Sequence, residues 1–126
     1  MQPFRRLLVW QRAHLLALSV RRASRELPRS GYTSLKSQTV GAAESVVFNI
    51  VEGCGATSRK EFARFLDISI KSTFELECQL ELVKDYGVLK ERAWRSLTAD
   101  TVEVRRMLCG LRRAILSAAK VRELTD

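Results

Sequence analysis

Proline, histidine and aromatic residues are all scarce in this chain. Two prolines and six glycines in 126 residues leave too little turn chemistry for the many reversals of a multi-stranded sheet. The single histidine, His14, leaves no second imidazole for a metal centre or a proton relay. Three cysteines, Cys54, Cys78 and Cys109, are odd in number and widely spaced, which suits reduced core thiols better than a disulfide framework or a metal site. No apolar run approaches the roughly 20 residues of a membrane span. Glu44 and Glu52 bracket the best stretch, and Gln11, Arg12 and His14 interrupt the N-terminal one before it reaches export length. A cytoplasmic protein is expected.

What is present is a helical composition with an unbalanced charge. Apolar residues make up 46% of the chain, which at this length supports one hydrophobic core and one domain, 1–126. Basic residues outnumber acidic ones 22 to 14, for a net charge of +8. Residues 1–36 carry eight basic and one acidic residue, 37–86 five and eight, and 87–126 nine and five. Both ends are basic and the middle is acidic.

Apolar spacing predicts four helices. Trp10, Ala13, Ala17, Val20, Ala23 and Leu27 recur at three- and four-residue steps, giving a helix over about 9–27 that Pro28 ends. Thr33 or Ser34 can cap a second helix over 34–52, with Leu35, Ala42, Val46 and Ile50 in register. Gly41 inside it suggests a close helix crossing or a kink. Gly53-Cys54-Gly55 stops that helix, and Ser58-Arg59-Lys60-Glu61 is a capping box opening a third over 59–86, with Gly87 as its C-terminal cap. Leu97, Thr101, Val104, Leu108, Leu111, Ile115 and Ala118 form an unbroken heptad seam in a fourth helix over 90–122. Short loops between long helices point to an all-α, antiparallel up-and-down four-helix bundle.

Three sets of residues stand out as candidates for function. In such a bundle the first and fourth helices are neighbours, so Arg12, Arg21, Arg22 and Arg25 are expected to merge with Arg105, Arg106, Arg112, Arg113 and Lys120 into one basic surface. That surface would contact the phosphates of RNA or DNA, with little base readout because few aromatic residues accompany the arginines. The alternatives are a solvated arginine face with intrahelical ion pairs, or recruitment of a protein partner. Gln38, Asn49 and Glu52 form one polar line with Ser45, and Ser72, Glu75 and Gln79 another, as expected of a hydrogen-bond network between helices or subunits. Val40, Val47 and Val51, with Phe48 beside them, give the second helix an extra apolar stripe, read as a homo-oligomer interface.

No constellation supports catalysis. Glu44, Glu52, Glu75 and Glu77 invite a di-metal carboxylate site, but the Glu-x-x-His steps of such sites are missing. No Gly-x-Ser-x-Gly elbow accompanies His14. The glycine-rich run from Gly53 to Lys60 lacks the Gly-Lys-Ser/Thr ending of a phosphate loop and follows a helix. The expectation is therefore a non-enzyme with no catalytic residue, no metal and no cofactor.

Specific segments carry a family likeness. They are Val9-Trp10-Gln11 with Ala13, Gln38, Asn49-Ile50-Val51-Glu52-Gly53 with Gly55, Ser58 and Glu61-Phe62, Arg64-Phe65-Leu66, and Glu75-Leu76-Glu77 with Gln79-Leu80 before Tyr86-Gly87. From about Leu8 to Ile115 the chain resembles the four-helix bundle proteins encoded by intervening sequences of bacterial 23S ribosomal RNA genes. These are related to the accessory variability determinant proteins of diversity-generating retroelements. The resemblance implies a basic, non-enzymatic bundle assembled as a ring-like homopentamer, with retroelement relatives that bind nucleic acid and a reverse transcriptase. At Thr39-Val40-Gly41 this chain lacks the paired arginines usual in the family, which removes a nucleic-acid contact expected there.

Overall fold

The computed structural model describes residues 3–125, and side chains for residues 3–117. Among the described residues a short 3-10 turn at Phe4–Arg6 precedes four helices: α1 (Leu8–Arg25), α2 (Thr33–Cys54), α3 (Arg59–Asp85) and α4 (Glu91–Thr125). Consecutive helices pack side by side and α1 closes on α4, while among the described residues the backbones of the diagonal pairs α1/α3 and α2/α4 stay apart. This is the up-and-down bundle that the spacing predicts, with α1 and α3 running in the same direction at opposite corners.

Each helix buries one stripe. Val9, Ala13, Leu16 and Val20 of α1 meet Ala42, Ala43, Val46 and Ile50 of α2, Leu66, Leu76 and Leu80 of α3, and Leu97, Val104 and Leu108 of α4 in a single core. The α4 seam is buried from Leu97 through Ile115 with Leu111 partly covered, while Ala118 lies outside the described side chains. Small hydroxyl residues inside the stripe let α2 and α3 approach closely. Ser69 Oγ donates to the Val46 carbonyl at 2.8 Å, satisfying a polar group that burial would otherwise make costly.

The helix ends follow the local chemistry with two exceptions. Ser58 Oγ accepts from the Glu61 N–H at 3.1 Å, as a capping residue should, and Gly87 adopts the left-handed φ of +76° that closes α3. The first exception is the start of α2, where Tyr32 occupies the cap position with no side-chain hydrogen bond, so neither Thr33 nor Ser34 caps it. The second is its end. The helix runs through Gly53 to Cys54, and Gly53 gives the ring of Phe62 its place: a Cβ there would meet Phe62 Cδ1 at 2.7 Å. Gly41, expected to mark a crossing, is exposed and has no neighbour within 4 Å of a Cβ position.

The extra stripe on α2 divides. Val47 belongs to the monomer core, which removes it from the expected oligomer interface. Val40 and Val51 are half-buried, and only Phe48 stands clear, 60% exposed. Val47 turns inward because residues 43, 47, 50 and 54 share a helical face with the buried Val46 row.

Candidate functional site

Local structure distributes the basic residues over two separate faces. On α1 the buried stripe fixes the opposite arc, which carries Arg12, Arg21, Arg22 and Arg25, all exposed. The helix contains no acidic residue, and among the described residues none of these guanidinium groups reaches a carboxylate.

The arginines of α4 behave differently. Arg105, only 16% exposed, lies across to α3: Nε donates to Thr73 Oγ1 at 2.9 Å, Nη2 bonds Glu77, and the guanidinium stacks 3.8 Å from the Phe74 ring centroid. Arg112, one heptad later, pairs with Asp67 of α3, although its Nε lacks the alignment of a hydrogen bond. Arg106 is exposed and spent on Glu103 at 3.1 Å, while Arg113 is exposed. Each residue advances about 100° around a helix, so Arg106 and Arg113 turn outward beyond the α3 flank, away from α1. The expected single surface of α1 and α4 arginines is therefore two surfaces. Arg105 is corrected to an inter-helix clamp, Arg112 is half-exposed in its pair with Asp67, and Lys120 lies outside the described side chains.

Part of the polar line does join helices. Ser45 Oγ and Ser72 Oγ share a hydrogen bond at 2.8 Å between α2 and α3, and Asn49 Nδ2 donates to both the carbonyl and the hydroxyl of Ser45. Gln79 is buried and donates to Glu75 within α3, leaving its own Oε1 without a partner. Gln38 and Glu52 are exposed and take no part, Gln38 bonding only Ser34.

Sequence reasoning missed the apolar content of the outer faces. Leu15 and Leu18 on α1 are 58% and 47% exposed, with Leu8 in the same strip. Phe74 and Leu82 on α3 are 56% and 40% exposed, with Cys78 between them one turn from each. The signal was present in their spacing, but it was masked by the stronger inward rows on the same helices.

Little here suits bond-making chemistry. Burial pushes the Cys54 thiol up from its ordinary 9.0, which makes it a poor nucleophile. His14 is exposed and stacks on Trp10 at 4.9 Å. Among the described residues no three His, Cys, Asp or Glu side chains converge as metal ligands, and no helix is long and apolar enough to cross a membrane.

The family profile for 23S rRNA-intervening sequence protein matches residues 5–110. Among solved structures, a protein of unknown function from the S23 ribosomal protein family of Bacteroides thetaiotaomicron superposes with a TM-score of 0.78. That match covers 83% of this chain and 98% of the other at 22% identity, a likeness of fold. Among curated proteins there is no match. With the profile spanning most of its length over this four-helix architecture, the chain belongs to the 23S rRNA-intervening sequence protein family.

Proposed function

We propose that the protein is a non-enzymatic, basic homo-oligomer that binds the phosphate backbone of RNA or DNA. The observation that carries this reading is α1. Four exposed arginines on a helix without acidic residues present mobile cations that no internal partner neutralises among the described residues. Such side chains displace condensed counterions from a polyanion, so affinity falls linearly in log salt. Exposed aromatic residues do not accompany them on α1, which favours contact with phosphates over readout of bases. Arg113, beside Arg106 in its exposed pair with Glu103, adds a weaker basic site on the other face.

Binding of a structured RNA, measured by gel shift across a salt series, tests this directly. Replacing Arg12 and Arg21 together by Ala should weaken binding and reduce the salt slope by about 2. No binding at low salt would overturn the nucleic-acid reading. The exposed leucines of α1 favour a second reading, in which the same helix docks on a protein. Co-purification of nuclease-sensitive absorbance supports the first, and of a stoichiometric polypeptide the second.

A further inference from the structure

We infer that the outer faces of α1 and α3 are the two halves of one contact between copies of this chain. The inference rests on the homo-oligomer above; it takes Arg22 and Arg25 into the contact and leaves Arg12 and Arg21 for nucleic acid.

Each face has an apolar strip with charges mainly of one sign around it, exposed Lys71 on α3 and Glu26 just past α1 being the exceptions. On α1 the strip is Leu8, Leu15 and Leu18, continued by Arg22 and Arg25. On α3 it is the outer side of Phe74, whose other side Arg105 covers, with Cys78 and Leu82, flanked by exposed Glu75, Glu81 and Asp85. Left in water, either strip is an uncovered apolar surface of the kind that marks an interaction site. A second copy brings the opposite charge to each, and no other occupant is needed to satisfy both.

The fold also supplies the register. Val20, Ala23 and Ser24 of α1, with Leu27 just beyond it, line the same small apolar cleft as Leu80 and Val83 of α3, so the C-terminal ends of the two helices lie at one height. Because α1 and α3 run in the same direction at opposite corners, a neighbour in the same orientation sets its α3 alongside α1 without a shift. Leu15 and Leu18 then face Phe74 and Cys78, and Arg22 and Arg25 face Glu81 and Asp85. The two surfaces differ, so the contact is heterologous and each copy offers both halves, which generates rings or open arrays instead of isolated two-fold dimers. Arg12 and Arg21 stay on the flanks of the strip, free for a polyanion.

A cysteine pair tests the geometry. Light scattering of the unaltered protein should give a multiple of the monomer mass. The variant L18C/C109S should form disulfides between its new thiol and native Cys78 of the next copy, visible as a ladder on a non-reducing gel and abolished by adding C78S. A cysteine at the open position Gly41 of α2, in the same background, serves as the control and should cross-link at least tenfold more slowly. Charge reversal gives an independent readout: E81R/D85R should dissociate the assembly, and combining it with R22E/R25E should restore it. An oligomer whose L18C variant links no faster than the Gly41 control overturns this contact while leaving the homo-oligomer standing. A monomeric mass overturns both, and leaves the α1 strip to an acidic partner of another sequence.

Discussion

At the end of α2, the Phe62 ring occupies the space that a side chain on Gly53 would need, with Cδ1 and Cε1 at 2.7 and 3.0 Å from a built Cβ. Gly53→Ala must therefore displace an aromatic ring that is wedged between two helices, and we expect a loss of about 1–3 kcal/mol by denaturant unfolding. Gly41 is the opposite case. It sits in mid-helix, exposed, with nothing near its Cβ position, so Gly41→Ala should raise stability by about 0.5–1 kcal/mol in the same experiment. The cysteines offer a second test at this scale. Cys78 is exposed and Cys54 buried with its thiol pushed up from 9.0, so a maleimide at neutral pH should label Cys78 first and Cys54 only at the rate of unfolding. The raised value also sets a sign. Below 9.0 both the folded and unfolded chains hold the neutral Cys54 thiol and its contribution is constant; above it the unfolded chain ionises first, so stability falls as pH rises. Comparison with Cys54→Ala across pH 8 to 10.5 isolates that contribution, and parallel curves would show that Cys54 ionises equally in both states.

Between elements, the decisive contact is the one Arg105 makes from α4 to α3. Its guanidinium satisfies Thr73, pairs with Glu77 and covers one side of the Phe74 ring. Arg105→Met keeps most of the aliphatic stem but leaves the Thr73 hydroxyl without its α4 donor, and should cost about 2 kcal/mol of stability. Glu77→Gln should cost less, about 1 kcal/mol or under, because that carboxylate is more than a third exposed and water screens it. Equal losses would mean that the ion pair and not the hydroxyl contact dominates. The charge of α4 is thus divided by direction. Arg105 and Arg112 turn toward carboxylates of α3, and Arg106 and Arg113 turn to the outer face.

For the whole molecule, the exposed surface distinguishes folding from association. Val47 lies in the core and Phe48, its neighbour, stands 60% exposed. Val47→Asp should abolish the cooperative helical transition in circular dichroism, since a carboxylate would enter the apolar interior. Phe48→Asp should leave that transition within about 0.5 kcal/mol of the original. A large loss for Phe48→Asp would place its ring in a subunit contact that also stabilises the fold. The bundle therefore separates residues that hold its core together from apolar residues left on its surface.

Much of this was legible from periodicity. The heptad row of α4, the Ser58 capping box and Gly87 each act through residues three or four positions apart, and helix geometry alone makes such residues meet. Four helices, their order and the inward rows therefore follow from the sequence. The direction in which a charged side chain spends itself does not, because it depends on which helix lies across the groove. Arg105 and Arg106 are adjacent in the chain and identical in type, yet one is clamped on Thr73 and Glu77 of α3 while the other points out to Glu103 of its own helix. Gly41 and Gly53 present the same limit: only the neighbouring helix decides which glycine is an open space and which is a filled one. The sequence by itself determined the elements and the single apolar core, since both arise from local spacing and total burial. Tertiary structure alone decided that the basic residues form two faces and that the strips of α1 and α3 lie at one height on opposite corners, because both are matters of distance between segments far apart in the chain.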